Sequence, residues 1–139
     1  MVDEIDINYL AVLVAAAAAW VLNIVWYQAL WKPRLPAEDK ITAEQTGPGG
    51  NPRSYVLFIF FAELIMARIL ADILAHVGDV TVKAGVMWGV LCWTGLVAPV
   101  LLTNAYLLGR RGMLGVIELG HWLAVFIVMG AIVGAIGPG

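Results

Sequence analysis

The sequence predicts an all-α fold, a polytopic membrane protein with four transmembrane helices in an up-down bundle. Three observations predict it. The 139 residues are 62% hydrophobic and only 13% charged, with a mean hydropathy of +0.89, far from the mix of a soluble domain. Four apolar stretches, at about 8–31, 54–76, 80–108 and 112–136, each supply the roughly 20 residues that a helix needs to cross a hydrocarbon core. Lysine and arginine also crowd into alternate connections, as loops on one side of a membrane do. The expectation is a single four-helix transmembrane domain covering residues 1–139.

The first helix, 8–31, follows an acidic leader with Asp3, Glu4 and Asp6. Its Ala15–Ala19 run resembles the cleavage region of a signal peptide, but a signal peptide needs a basic leader and a shorter apolar core. A retained helix is expected. Ala11, Ala15 and Ala19 form a ridge of small residues, and Trp26, Tyr27 and Trp31 cluster where the helix should meet cytoplasmic headgroups.

The connection 32–53, KPRLPAEDKITAEQTGPGGNPR, is Pro, Gly and charge without an apolar period. It reads as a flexible cytoplasmic loop with a short helical turn around Ala37–Gln45. Glu38, Asp39 and Glu44 are interleaved with Lys32, Arg34 and Lys40, the pattern of a solvated mixed-charge loop more than of a metal cluster. With Arg53, and with Arg110 and Arg111 in the third connection, six cations face Lys83 alone on the other side. The short loops that carry lysine and arginine stay in the cytoplasm. A multi-pass protein of the bacterial inner membrane is expected, with both termini on the periplasmic side.

The second helix is the unusual one. FAELIMARILADILAHVGD, residues 61–79, places Glu63, Arg68, Asp72 and His76 in an otherwise apolar run. At about 1.5 Å per residue, Glu63 falls roughly 4 Å to the cytoplasmic side of the midplane and Arg68 roughly 4 Å to the outer side. On the third helix, Gly85 and Gly89 form a GxxxG pair, Pro99 should bend the helix by removing a backbone donor, and Tyr106 marks the cytoplasmic interface. Trp88 and Trp93 are expected to pack against neighbouring helices. The lone Cys92 excludes an internal disulfide and reads as a small core residue. The fourth helix repeats the small-residue spacing with Gly130 and Gly134, and carries Glu118 and His121. One of these glycine ridges is available to face another protomer.

On this frame Asn23, His121 and Glu118 lie about 5 to 9 Å to the cytoplasmic side, near the depth of Glu63. They form a candidate buried polar layer. Helical side chains lean toward the N-terminus, so Arg68 should lean inward to a carboxylate. Glu63 and Glu118 against Arg68 leaves one positive charge lacking, and an uncompensated buried carboxylate takes up a proton. Either one Glu is protonated or His121 is charged. The layer Asn23, Glu63, Arg68, Glu118 and His121 is therefore either a static polar network or a proton or ion site. Arg68, Asp72, His76 and Asp79 also form one helical stripe. Asp72, His76 and Asp79 are a weak candidate metal site, because imidazole with carboxylates suits a divalent transition metal.

The stretches NYLAVLVAAAAAWVLNIVWYQALWK, TNAYLLGRRG and VMGAIVGA resemble a family of small four-helix bacterial inner-membrane proteins known as a domain of unknown function. The resemblance implies the four-helix fold and carries no activity or catalytic residues. The family pattern places a glycine ahead of the Trp-Tyr pair and a tyrosine after the glycine of the last helix. This chain has Asn23 and His121 there, which implies added polarity inside the membrane.

His76 and His121 are too far apart along the membrane normal, roughly 20 Å, to share a haem. No nucleophile motif, phosphate loop or zinc-protease motif occurs. No enzymatic activity and no cofactor are expected. The expected partners are the lipid bilayer and other membrane protein subunits or a second copy, and not nucleic acid. The leading expectation is a non-enzymatic protein that acts through helix-helix association, as homo-oligomer or accessory subunit. The alternative is a proton-coupled carrier or channel for a small solute or ion, using Glu63, Glu118, Arg68 and His121.

Overall fold

The computed structural model describes residues 8–31, 52–108 and 113–137. It is all helix and turn over these residues. Helix α1 runs Tyr9–Trp26 and continues as a π-helical turn, Tyr27–Trp31. Helix α2 is Pro52–Val77. Helix α3 runs Val82–Cys92, widens into a π-helical turn at Trp93–Val97, and resumes at Ala98–Leu108. Helix α4 is Met113–Ile136. The reading of residues 32–51 as a loop with a helical turn, and the positions of Arg110 and Arg111, lie outside the described residues.

Local chemistry sets the helix ends. The Asn8 side-chain carbonyl accepts from the backbone N–H groups of Leu10 (3.1 Å) and Ala11 (3.3 Å), capping α1, while its amide donates to the Gly137 carbonyl at 3.1 Å. That bond ties the start of α1 to the end of α4. Helix α2 stops at Gly78, whose φ of 83° favours glycine, with its N–H on the Leu74 carbonyl. Thr81 then caps α3 by accepting from the Ala84 N–H. Only three residues separate Gly78 from the first turn of α3, so α2 and α3 are forced antiparallel.

The remaining contacts give the same alternation. Tyr9 and Trp20 of α1 meet Arg68 and Phe60 of α2, and Asn23 and Trp26 meet His121 and Ile117 of α4. Helices consecutive in the chain are antiparallel, as are α1 and α4, so α2 and α4, which also touch, run parallel. The core joins Val12, Ala15, Ala16 and Ala19 of α1 to Ala67, Leu70, Ala71 and Leu74 of α2 and to Val125, Met129 and Val133 of α4. The alanine ridge faces this core: Ala11, Ala15 and Ala19 are at most 1% exposed.

Helices α3 and α4 approach most closely. A Cβ on Gly85 would collide with the Gly130 carbonyl and one on Gly130 with the Gly85 carbonyl, while one on Gly134 would strike the Thr81 carbonyl. One on Gly89 would lie 2.6 Å from the Phe126 carbonyl oxygen. Small residues permit this approach where burial of apolar surface gives no drive. Both glycine pairs are thus occupied within the chain. The expectation that one ridge is left for another protomer is corrected here: the two ridges are each other's partner.

Three stretches, Tyr9–Leu30, Val82–Leu107 and Gly115–Ile136, are long and apolar enough to cross a membrane. Helix α2 matches them in length but carries Glu63, Arg68 and Asp72, and it packs against α1, α3 and α4. Pro99 sits just after the π-helical turn of α3. Its ring would clash with the Gly95 carbonyl in a regular α-helix, and the Ala98 N–H reaches back five residues to the Trp93 carbonyl. The widened turn accommodates the proline.

Candidate functional site

The polar residues of the membrane interior divide into three groups. The first joins α1 to α4. Asn23 and His121 are 4% and 8% exposed, and the Asn23 amide lies 3.0 Å from His121 Nε2. With the amide donating, Nε2 supplies a lone pair and the ring is neutral. The imidazole stands edge-on to Trp122 at 4.7 Å and tilted to Trp26 at 6.0 Å. Trp26 Nε1 donates to the Ile117 carbonyl at 3.1 Å, one turn before His121. An amide, an imidazole and an indole therefore join the two helices at one level. Glu118, half-buried, lies less than one turn away on α4.

The second group is Glu63 alone. Its side chain is 0% exposed, and neither carboxyl oxygen has a hydrogen-bond partner among the described residues. Phe60, a turn earlier on α2, stands edge-on to Trp20 of α1 at 5.8 Å. Because the helices are antiparallel, Asn23 lies a turn to one side of that contact and Glu63 a turn to the other. They are roughly 9 Å apart along the axis. The structure does not bring Glu63 into the Asn23–His121 level, because the Trp20–Phe60 contact sets a register that helices simply centred in a bilayer would not have. An ionised carboxylate with no cation and no donor among the described residues would be far too costly in such a place. Trp20 Nε1 and Trp88 Nε1 are likewise buried without a partner among the described residues.

The third group is at the far end of α2. Arg68 does not turn inward. Its Nη1 lies 3.1 Å from Asp72 Oδ2, one turn on, and its guanidinium stands 5.8 Å from the ring centroid of Tyr9, the first residue of α1. The inward lean expected from Cβ direction is corrected here. A long, flexible side chain snorkels to the nearest helix end, where an i,i+4 carboxylate and an aromatic face are already in place. His76 Nδ1 lies 2.8 Å from the Asp72 backbone carbonyl and 3.6 Å from Asp72 Oδ1, and Asp79 Oδ1 accepts from the Thr81 hydroxyl at 3.1 Å. Asp72, His76 and Asp79 are not gathered on one point, and no metal-holding group of three His, Cys, Asp or Glu occurs among the described residues. Asp72 is engaged by Arg68 and Asp79 by the cap of α3.

Sequence reasoning missed the tryptophans as connectors. Trp26 and Trp93 donate across helices to the carbonyls of Ile117 and Leu119. The available signal was six indoles inside the apolar stretches, each with one N–H that seeks an acceptor.

No curated protein and no solved structure matches the chain. The model of one family matches residues 10–134, nearly the whole length. That agrees with the resemblance of the three quoted stretches, and it brings no assigned activity. The chain belongs to the family described as Protein of unknown function (DUF1761).

Proposed function

We propose that the protein acts inside the bilayer by helix-helix association and without catalysis, as a homo-oligomer or as an accessory subunit of a larger membrane complex. The bacterial inner membrane, with both termini periplasmic, is the setting that its cation distribution supports. One observation carries the reading, the open face of α3 around Gly95. Between Trp93 and Leu107 only Ala98 is buried, and the half-buried residues Trp93, Val97, Leu101 and Ala105 fall on a single stripe. The rest of the circumference faces outward. Gly95 lies there at mid-helix with nothing among the described residues within 4 Å of an added Cβ, beside exposed Thr94. A glycine costs a helix about 1 kcal/mol relative to alanine, and no close contact among the described residues accounts for it. In membranes such residues admit a neighbouring helix. Extraction in mild detergent followed by native mass spectrometry tests this: a stoichiometric assembly is expected, and Gly95→Leu should dissociate it. A wild-type chain that runs as a lone monomer with nothing bound would overturn the reading.

A second reading, a proton-coupled carrier or channel, is favoured by the buried, unpartnered Glu63. In it Glu63 and Glu118 are proton sites and His121 a relay, while Arg68, held by Asp72 at the end of α2, no longer serves as the counter-charge. A pH-driven flux in liposomes that Glu63→Gln or Glu118→Gln abolishes is the expected result. Flux equal to that of empty liposomes would sink this alternative.

A further inference from the structure

Between α1 and α2 the surface holds a groove of about 400 Å³ whose walls are almost wholly apolar. Leu13, Leu64 and Ile65 line its deeper part, and Tyr9, Arg68 and Ile69 its other end. That end is at the start of α1, where a tyrosine marks the membrane interface. Arg68 and Asp72 remain 38% and 34% exposed there despite their ion pair. Asp72 lies four residues beyond Arg68, roughly 6 Å further along the axis. Oδ2 lies 3.1 Å from Arg68 Nη1, and Oδ1 lies 3.6 Å from His76 Nδ1. From mid-membrane outward the surface therefore presents an apolar trough, a guanidinium and then a carboxylate.

A phospholipid with an amine head presents the complementary series in the same order: acyl chain, phosphate, ammonium. We propose that this groove is a binding site for an aminophospholipid of the leaflet in which α1 begins. One acyl chain lies along Leu13, Leu64 and Ile65. The phosphate accepts hydrogen bonds from Arg68, whose planar fork suits phosphate oxygens, and the primary ammonium donates to Asp72. The charge pattern selects among headgroups. A net-anionic glycerol head leaves Asp72 facing a neutral or negative group, and a quaternary choline head has no N–H to donate to it. The site is separate from the open face of α3 and does not depend on it.

The experiment is native mass spectrometry of the full chain released from mixed micelles holding equal amounts of phosphatidylethanolamine, phosphatidylcholine and phosphatidylglycerol. Wild type is expected to retain phosphatidylethanolamine about tenfold over the other two, the worth of one charge-assisted hydrogen bond. Asp72→Asn should remove that preference and leave phospholipid binding in place. Leu13→Trp, which fills the trough from an exposed position, should lower retention of all three. Circular dichroism of each variant confirms the helices. Equal retention of the three lipids by wild type, preference for phosphatidylglycerol, or an unchanged preference in Asp72→Asn would each overturn the proposal.

Discussion

The same substitution, glycine to alanine, should have opposite signs at two positions of one helix. At Gly85 the new methyl meets the Gly130 carbonyl, and the contact is reciprocal. Both partners are backbone, so no rotamer change relieves it. The helices must separate. Overpacking costs roughly 1–3 kcal/mol, here toward the upper end, against a gain of about 1 kcal/mol in helix propensity. Gly85→Ala should therefore lose about 2 kcal/mol net. At Gly95 an added Cβ meets nothing among the described residues, and Gly95→Ala should gain about 0.5–1 kcal/mol. Unfolding by sodium dodecyl sulfate in mixed micelles, followed by tryptophan fluorescence, measures both. A Gly85→Ala chain as stable as wild type, or a Gly95→Ala chain as damaged as Gly85→Ala, would refute the packing argument.

Two further outcomes follow from the cross-helix bonds. A double-mutant cycle with Asn23→Val and His121→Phe should give a coupling energy of about 0.6 kcal/mol and no more than about 1.7, the range found for polar pairs between membrane helices; additive single effects would mean that the 3.0 Å contact contributes nothing. Trp93→Phe removes the donor to the Leu119 carbonyl and should cost about 1 kcal/mol in the same micelle titration, whereas Trp88→Phe, which removes a buried indole N–H with no partner among the described residues, should cost less.

How much of this was legible in the sequence depends on whether a feature is local. Helix existence follows from the length of apolar runs, and the GxxxG spacing announced close approach at Gly85, Gly89, Gly130 and Gly134. Which helix would meet them was not legible, because small residues specify closeness and not identity. The polar layer shows the opposite limit. Asn23 and His121 were placed at one depth and do meet, but Glu63 was placed with them by assuming centred helices. Its actual level depends on the Trp20–Phe60 contact. Arg68 shows a third limit: backbone direction predicts where Cβ points, and a side chain this long is free to go where its charge is best solvated. Asp72 at i+4 is in the sequence, but the spacing alone does not say whether its carboxylate serves Arg68 or His76.

The carrier reading rests on Glu63, and its replacement by methionine is the informative change. Methionine keeps an unbranched chain of similar length and removes both unpartnered oxygens. Leaving a buried polar group unsatisfied costs about 1–3 kcal/mol, while a near-isosteric swap usually costs less than about 1.5 kcal/mol. Glu63→Met should therefore gain up to about 2 kcal/mol in the micelle titration. A gain of that size would mean that the fold holds the acid against its own stability, as proteins do at functional positions. Liposome flux would then be the experiment to perform first. A loss of more than about 1 kcal/mol would mean the opposite: the carboxyl has partners that stabilise the bundle, and the argument for a mobile proton loses its only structural support. The association reading is untouched by either result, because Gly95 lies on another helix and faces away from the core.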